Sequence, residues 1–229
     1  MAERPYVLLS CAMSLDGYLD SGSDQRLVLS NDADLDRVDR ERAACDAIMV
    51  GAATVRNDDP RLLVREPGRR DERIARGLKP SPVKVTVTCR GRLDPSSRFF
   101  TTGESEKLVY CTSGAVPAAR SRLSAVATVI DGGPRVSMAG LAEDLHARGV
   151  HRLMVEGGGT LHTQFLTAGL ADELQLVVAP FFVGDSRARR FVSDGRFPYD
   201  ADRRATLVDV RPIGEVVLLR YALSDRFGE

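Results

Sequence analysis

Short apolar, β-branched runs recur along the chain and set its organisation. They predict strands at residues 6–13, 47–51, 83–89, 107–111, 128–130, 152–156, 173–183, 205–213 and 215–223. Helical patterns lie between many of them. Ser30 or Asn31 can cap a helix over 32–45, acidic in its first turn (Asp32, Asp34) and basic later (Arg37, Arg40, Arg42), with Leu35, Val38 and Cys45 close to one face. Ser137 can cap a second helix ending at Gly149, and a third should run from Gly159 to Ala168. Strands that alternate with helices predict an α/β fold: three layers, a mostly parallel central sheet, helices on both faces. The last two strands, joined at Ile213-Gly214, predict an antiparallel hairpin. Residues 65–82 and 184–204 read as long loops, the first a solvated, arginine-rich surface.

The 229 residues are expected to form one domain, and 43% apolar content can fill a core. Lysine plus arginine and aspartate plus glutamate balance at 32 each, which gives no overall drive toward nucleic acid or an anionic membrane. Any phosphate binding must come from local arrangement. Cys11, Cys45, Cys89 and Cys111 are widely spaced and read as buried thiols of a reducing compartment. His146, His151 and His162 lack zinc-ligand spacing, so no metal is expected. The N-terminal stretch is no signal peptide and no run is long enough to span a bilayer, so a cytoplasmic protein is expected.

Three segments carry candidate chemistry. In Val155-Glu156-Gly157-Gly158-Gly159-Thr160-Leu161 a strand ends, three glycines follow and a helix begins. Such a turn lets backbone approach a ligand, and the helix start offers free N–H groups to an anion such as a pyrophosphate; a purely structural turn reads equally well. The run is not G-x-G-x-x-G. A second strand-to-helix turn, Val50-Gly51-Ala52-Ala53-Thr54-Val55, leads into Asp58-Asp59-Pro60, which also reads as a plain helix stop. The third segment, Ala12 to Gly17, opens from a strand into an Asp16-Gly17 turn.

Taken in order, A-M-S-L-D-G, D-A-I-M-V-G-A-A-T-V-x-x-D-D-P-x-L, V-E-G-G-G-T-L and D-E-L-x-L-x-x-A-P resemble the pyrimidine reductase family of riboflavin biosynthesis, from about Tyr6 to Gly184. The resemblance implies a dihydrofolate-reductase-like fold, NADPH as cofactor, a homodimer, and reduction of the ribosyl group of a phosphorylated ribosylaminopyrimidine to ribityl. It places Ala12, Gly51, Thr54, Asp58 and the loop Gly157, Gly158, Gly159, Thr160, Leu161 and Thr163 on the cofactor. It places Arg42, Leu62, Arg65 and Glu156 on the substrate. Arginine presents a rigid fork to a phosphate, which suits Arg42 and Arg65 as a clamp on the 5′-phosphate. Arg90, after the strand 83–89, with Arg92 beyond it, is the candidate partner for a 2′-phosphate, and Asp58 and Glu156 are the candidate acids near hydride transfer.

The chain departs from the bifunctional bacterial members in having no lysine near Ser10 and no tryptophan at all, which leans toward the stand-alone branch. The H-x-E and P-C-x-x-C signature of the zinc deaminases is absent, so deamination is expected to fall to another protein. Two alternatives stand beside this reading. One is a reductase of dihydrofolate or another pterin- or pyrimidine-like compound. The other is a non-catalytic nucleotide-binding module.

Overall fold

The computed structural model describes residues 3–23 and 27–228. Strands and helices alternate as the pattern predicts: β1 (Tyr6–Ser14), α1 (Asp32–Ala44), β2 (Ala47–Gly51), α2 (Ala52–Asp58), α3 (Pro67–Ala75), β3 (Val83–Thr88), α4 (Arg98–Thr101), β4 (Lys107–Cys111), α5 (Val116–Leu123), β5 (Thr128–Asp131), α6 (Met138–Ala147), β6 (Arg152–Gly157), α7 (Gly159–Thr167), β7 (Glu173–Ala179), β8 (Thr206–Ile213) and β9 (Val216–Ala222). Nine strands form one sheet in the order β5-β4-β3-β2-β6-β1-β7-β9-β8. β1 with β7, and β2 through β5, pair in parallel, while β7–β9 and β9–β8 are antiparallel. The described chain falls into two compact units, residues 3–5 with 39–154, and residues 6–23 and 27–38 with 155–228.

In the first unit Ile48 and Val50 of β2, Val55 of α2, and Phe99 and Phe100 of α4 build a dry cluster. Continuous apolar strands do this because a strand covered on both faces has no solvent side to leave polar. β3 is less apolar: it buries Thr86, Thr88 and Lys84; Lys84 carries the charge. It is fully buried, and its ammonium donates to the carbonyls of Phe99 (3.0 Å) and Thr102 (2.6 Å), so it caps the end of α4. Burial pushes its pKa down to about 8.

The segment 65–82 is a correction. It is not a loop: Glu66 accepts the Arg69 N–H and Pro67 starts α3. The buried side chain of this helix is Arg73, whose guanidinium donates to the carbonyls of Ala43 and Cys45 (2.8 Å each) and of Lys79 (3.0 Å). It thereby satisfies carbonyls left open where α1 ends. Cys89 is a second correction, since it is exposed while Cys11, Cys45 and Cys111 are buried; all four are free thiols.

In the second unit Val177, Ala179, Val216 and Leu218 pack across β7 and β9. β7 stops at Ala179 rather than at 183, because Pro180 has no N–H to continue a ladder. Of the two proposed caps, Asn31 is the one used for α1: its Oδ1 accepts the Asp34 N–H at 2.9 Å. Ser137 accepts the Gly140 N–H and starts α6, as expected. Residues 184–204 form no named helix or strand, and within them Arg190 bridges Tyr18 of the turn that follows β1. No helix of the described residues is long and apolar enough to cross a membrane.

Candidate functional site

In the first unit the two candidate phosphate arginines are brought to one place. Asp39 and Arg42 lie three apart on α1 and so share a face. The buried Asp39 carboxylate accepts the N–H of Arg65 (2.6 Å) and of Glu66 (3.2 Å) and pairs with Arg69 (3.0 Å). Arg42 donates to the Leu63 carbonyl at 3.2 Å. Thus α1 fixes the backbone that carries Arg65, and the Arg65 side chain is exposed beside it. Sequence reasoning passed over Asp39; an acid on the same helix face as an arginine was the available signal.

The Asp-Asp-Pro run does end a helix, α2, and does so under strain. Asp59 (φ 41°) and Leu62 (φ 46°) are the two non-glycine residues with left-handed backbone among those described. The Asp59 carboxylate holds the start of α4 through Arg98, with 2.6 Å to its N–H and 3.0 Å to its side chain. Leu62 is buried in the dry cluster, so any ligand contact from it would come through backbone or a side-chain edge. Gly51 caps α2 from an extended conformation, Thr54 lies within that helix half-buried, and Asp58 is its exposed last residue. Arg90 is exposed just after β3, in a turn where the Thr88 hydroxyl accepts the Gly91 N–H at 3.2 Å.

In the second unit the glycine run forms the strand-to-helix turn that the sequence predicts. Gly157 (φ 115°) and Gly158 (φ 87°) occupy backbone closed to other residues. The Gly158 carbonyl accepts the N–H groups of Leu161 (2.9 Å) and His162 (3.2 Å), which leaves those of Gly159 and Thr160 as the free first-turn donors of α7. This fits an anion such as a dinucleotide pyrophosphate. Of the two readings of the run, approach to a ligand or structural duty, Gly159 serves the structural one. A β-carbon there would collide with the Arg190 carbonyl oxygen and sit 3.4 Å from that of Phe191, so the close approach it permits is to the protein's own chain. Thr163 is committed as well. Its hydroxyl donates to the Gly159 carbonyl (2.7 Å) and accepts the Ser193 N–H (2.8 Å). Glu156 lies half-buried on β6, and Ala12 half-buried on β1 opposite Val177.

His162 is fully buried beneath this turn, 5.3 Å from the Phe191 ring. Burial pushes its pKa down to about 4; the backbone of Phe191 and of Val155 opposes this only in part. The imidazole is therefore neutral in the folded protein at neutral pH. The unfolded chain takes up its proton near the ordinary value of 6.5. Below that pH the unfolded state binds more protons, so folded stability falls as pH falls. A loss of about 2 kcal/mol from this residue is expected between about pH 7 and about pH 5. Urea midpoints for the wild type and His162→Asn check this: the variant should show the flatter dependence, and parallel curves would refute it.

The sheet is mostly parallel, a glycine turn opens α7, and the arginine of α1 reaches the segment after α2; comparisons with known proteins place this α/β architecture among the reductases. The chain belongs to the RibD C-terminal domain family, which matches residues 5–219. It is 40% identical to the 2,5-diamino-6-ribosylamino-4(3H)-pyrimidinone 5′-phosphate reductase of Archaeoglobus fulgidus, over 98% of this chain and 99% of that one. Among solved structures, a pyrimidine reductase-like protein of Corynebacterium diphtheriae shares the fold with a TM-score of 0.80 at 24% identity, covering 95% of this chain and 91% of that one. The diaminohydroxyphosphoribosylaminopyrimidine deaminase/5-amino-6-(5-phosphoribosylamino)uracil reductase of Thermotoga maritima matches with a TM-score of 0.76 at 21% identity. That match covers 96% of this chain, which spans 56% of the longer protein.

Proposed function

We propose that this protein reduces the ribosyl group of 2,5-diamino-6-ribosylamino-4(3H)-pyrimidinone 5′-phosphate to ribityl, with NADPH, in riboflavin biosynthesis. The observation that carries the substrate class is the arginine surface: Asp39 and the Leu63 carbonyl hold Arg65 and Arg42 in one neighbourhood, as a phosphate monoester requires. The near full-length likeness to the archaeal diaminopyrimidinone reductase supports the diamino form over the deaminated uracil. When bound, the cofactor supplies a hydride for C1′ of the opened sugar.

The chain's own residues do the rest. Arg42 and Arg65 bind the 5′-phosphate. The Gly159 and Thr160 amides receive the cofactor pyrophosphate. The proton that accompanies ring opening has two candidate donors, Asp58 or Glu156. A comparison of kcat/KM for the diaminopyrimidinone and its deaminated uracil tests the choice. The diamino compound should be preferred, and equal or reversed preference would overturn it.

NADPH should bind more tightly than NADH, because the exposed Arg90 and Arg92 offer charge to a 2′-phosphate. Dissociation constants for both cofactors check this, with equal affinity as the contrary result. The protein should also be a homodimer. The edge strand β8 and its neighbour β9 expose Leu207 (50%), Val208 (40%), Val210 (52%) and Val217 (38%), an apolar edge that a second copy would cover. Light scattering should give about twice the 24.9 kDa of one chain, and the mass of a single chain at micromolar concentration would count against it.

A further inference from the structure

The Asp16-Gly17 turn has no part in the site as assembled so far, and it organises the segment 184–195. The Asp16 carboxylate accepts the Ser14 hydroxyl (2.5 Å) and the N–H groups of Val183 (3.0 Å) and Gly184 (2.8 Å), at the point where the chain leaves β7. Farther along, the Leu19 N–H donates to the Arg189 carbonyl (2.7 Å), and the Phe191 N–H to that of Gly17 (3.0 Å). The Arg190 guanidinium lies over the Tyr18 ring at 5.0 Å, and Asp20 pairs with Arg189 at 2.9 Å. At the far end the Ser193 N–H reaches the Thr163 hydroxyl on α7. Between these anchors the carbonyls of Arg190 and Phe191 abut Gly159, and the Phe191 ring meets His162.

Three successive glycines make the least constrained turn a chain can have. A loose anion cradle must lose that freedom each time it binds, and a wall that selects one conformation beforehand removes the cost. The segment 184–195 is such a wall. We propose that Asp16 is a positioning residue for the cofactor: by anchoring this strap it holds Arg190 and Phe191 against Gly159 and presets the amides of the glycine turn. The inference rests on the reading of that turn as the pyrophosphate site.

The experiment combines NADPH dissociation constants, steady-state kinetics and limited trypsin digestion, for which Arg187, Arg189 and Arg190 of the strap are exposed targets. In Asp16→Ala the strap should be cut faster. The NADPH dissociation constant should rise about tenfold, while the KM for the sugar phosphate stays unchanged. Asp16→Asn, which keeps one acceptor oxygen, should lie between. NADPH should slow strap cleavage in the wild type. Should Asp16→Ala fail to fold, Ser193→Pro removes the far anchor without touching β1 and should give the same rise. Faster cleavage with unchanged NADPH affinity overturns the proposal and leaves the turn as the cofactor site. Unchanged NADPH affinity in Gly158→Val overturns the assignment of the turn itself, and the proposal with it.

Discussion

Arg42→Ala and Arg65→Ala are each expected to raise the KM for the phosphorylated pyrimidine by about 30- to 1000-fold. This corresponds to a loss of roughly 2–4 kcal/mol per charge-assisted contact to a dianionic monoester, including the cost of its stranded partner. NADPH affinity should change little in either variant, because the pyrophosphate is assigned to backbone amides of α7. Both variants should also stop discriminating between the phosphorylated substrate and its dephosphorylated analogue. Asp39→Asn supplies a graded control. It keeps an acceptor for the Arg65 N–H at a position where the carboxylate now accepts at 2.6 Å, so a smaller rise in KM is expected. Weaker NADPH binding with intact substrate affinity would show that the arginines serve the cofactor instead.

The second large effect is expected at Gly159. Alanine there places a carbon against the Arg190 carbonyl, a backbone atom that moves only if the strap lifts or α7 shifts. A loss of about 2–3 kcal/mol follows from such overpacking, or a fall in Tm of about 5–10 °C for a chain of this length. NADPH affinity should fall with it by at least about tenfold, since the turn that carries the donors is displaced. Gly140→Ala makes the contrast. It lies in α6 with only the Ser137 β-carbon nearby, at 3.9 Å, and a gain of up to about 1 kcal/mol is expected there. Thermal melts and cofactor titrations of the two variants check both statements. Equal tolerance at the two glycines would contradict the close approach of the strap.

Much of this was legible in the sequence because burial on both faces leaves an unmistakable trace. β1, β2, β4 and β6 are continuous apolar runs, and they lie where those runs predict. The glycine turn was legible as a turn, but the partner of Gly159 was not, since nothing near 159 in the chain points to residue 190. α3 escaped for a physical reason. Its one large apolar side chain, Ile74, is exposed, and the helix is held by the Glu66 cap and the buried Arg73 instead of an apolar stripe. The strand that carries Lys84 was legible, but not that this buried charge ends on the carbonyls of Phe99 and Thr102. The proposed arginine clamp was visible only as residue type. Asp39, which holds the Arg65 backbone, is an acid among many in an arginine-rich helix, and its role depends on a contact 26 positions away.

The central claim is the reaction itself, and product mass tests it most directly. The purified protein is incubated with NADPH and the ribosylated diaminopyrimidinone 5′-phosphate, and both cofactor oxidation and pyrimidine mass are followed. One NADPH should be consumed per pyrimidine, and the product should be heavier by about 2 Da, the hydride and proton added to the sugar, with the ring amino groups retained. No oxidation of NADPH with this substrate, or oxidation with dihydrofolate in its place, would contradict the account.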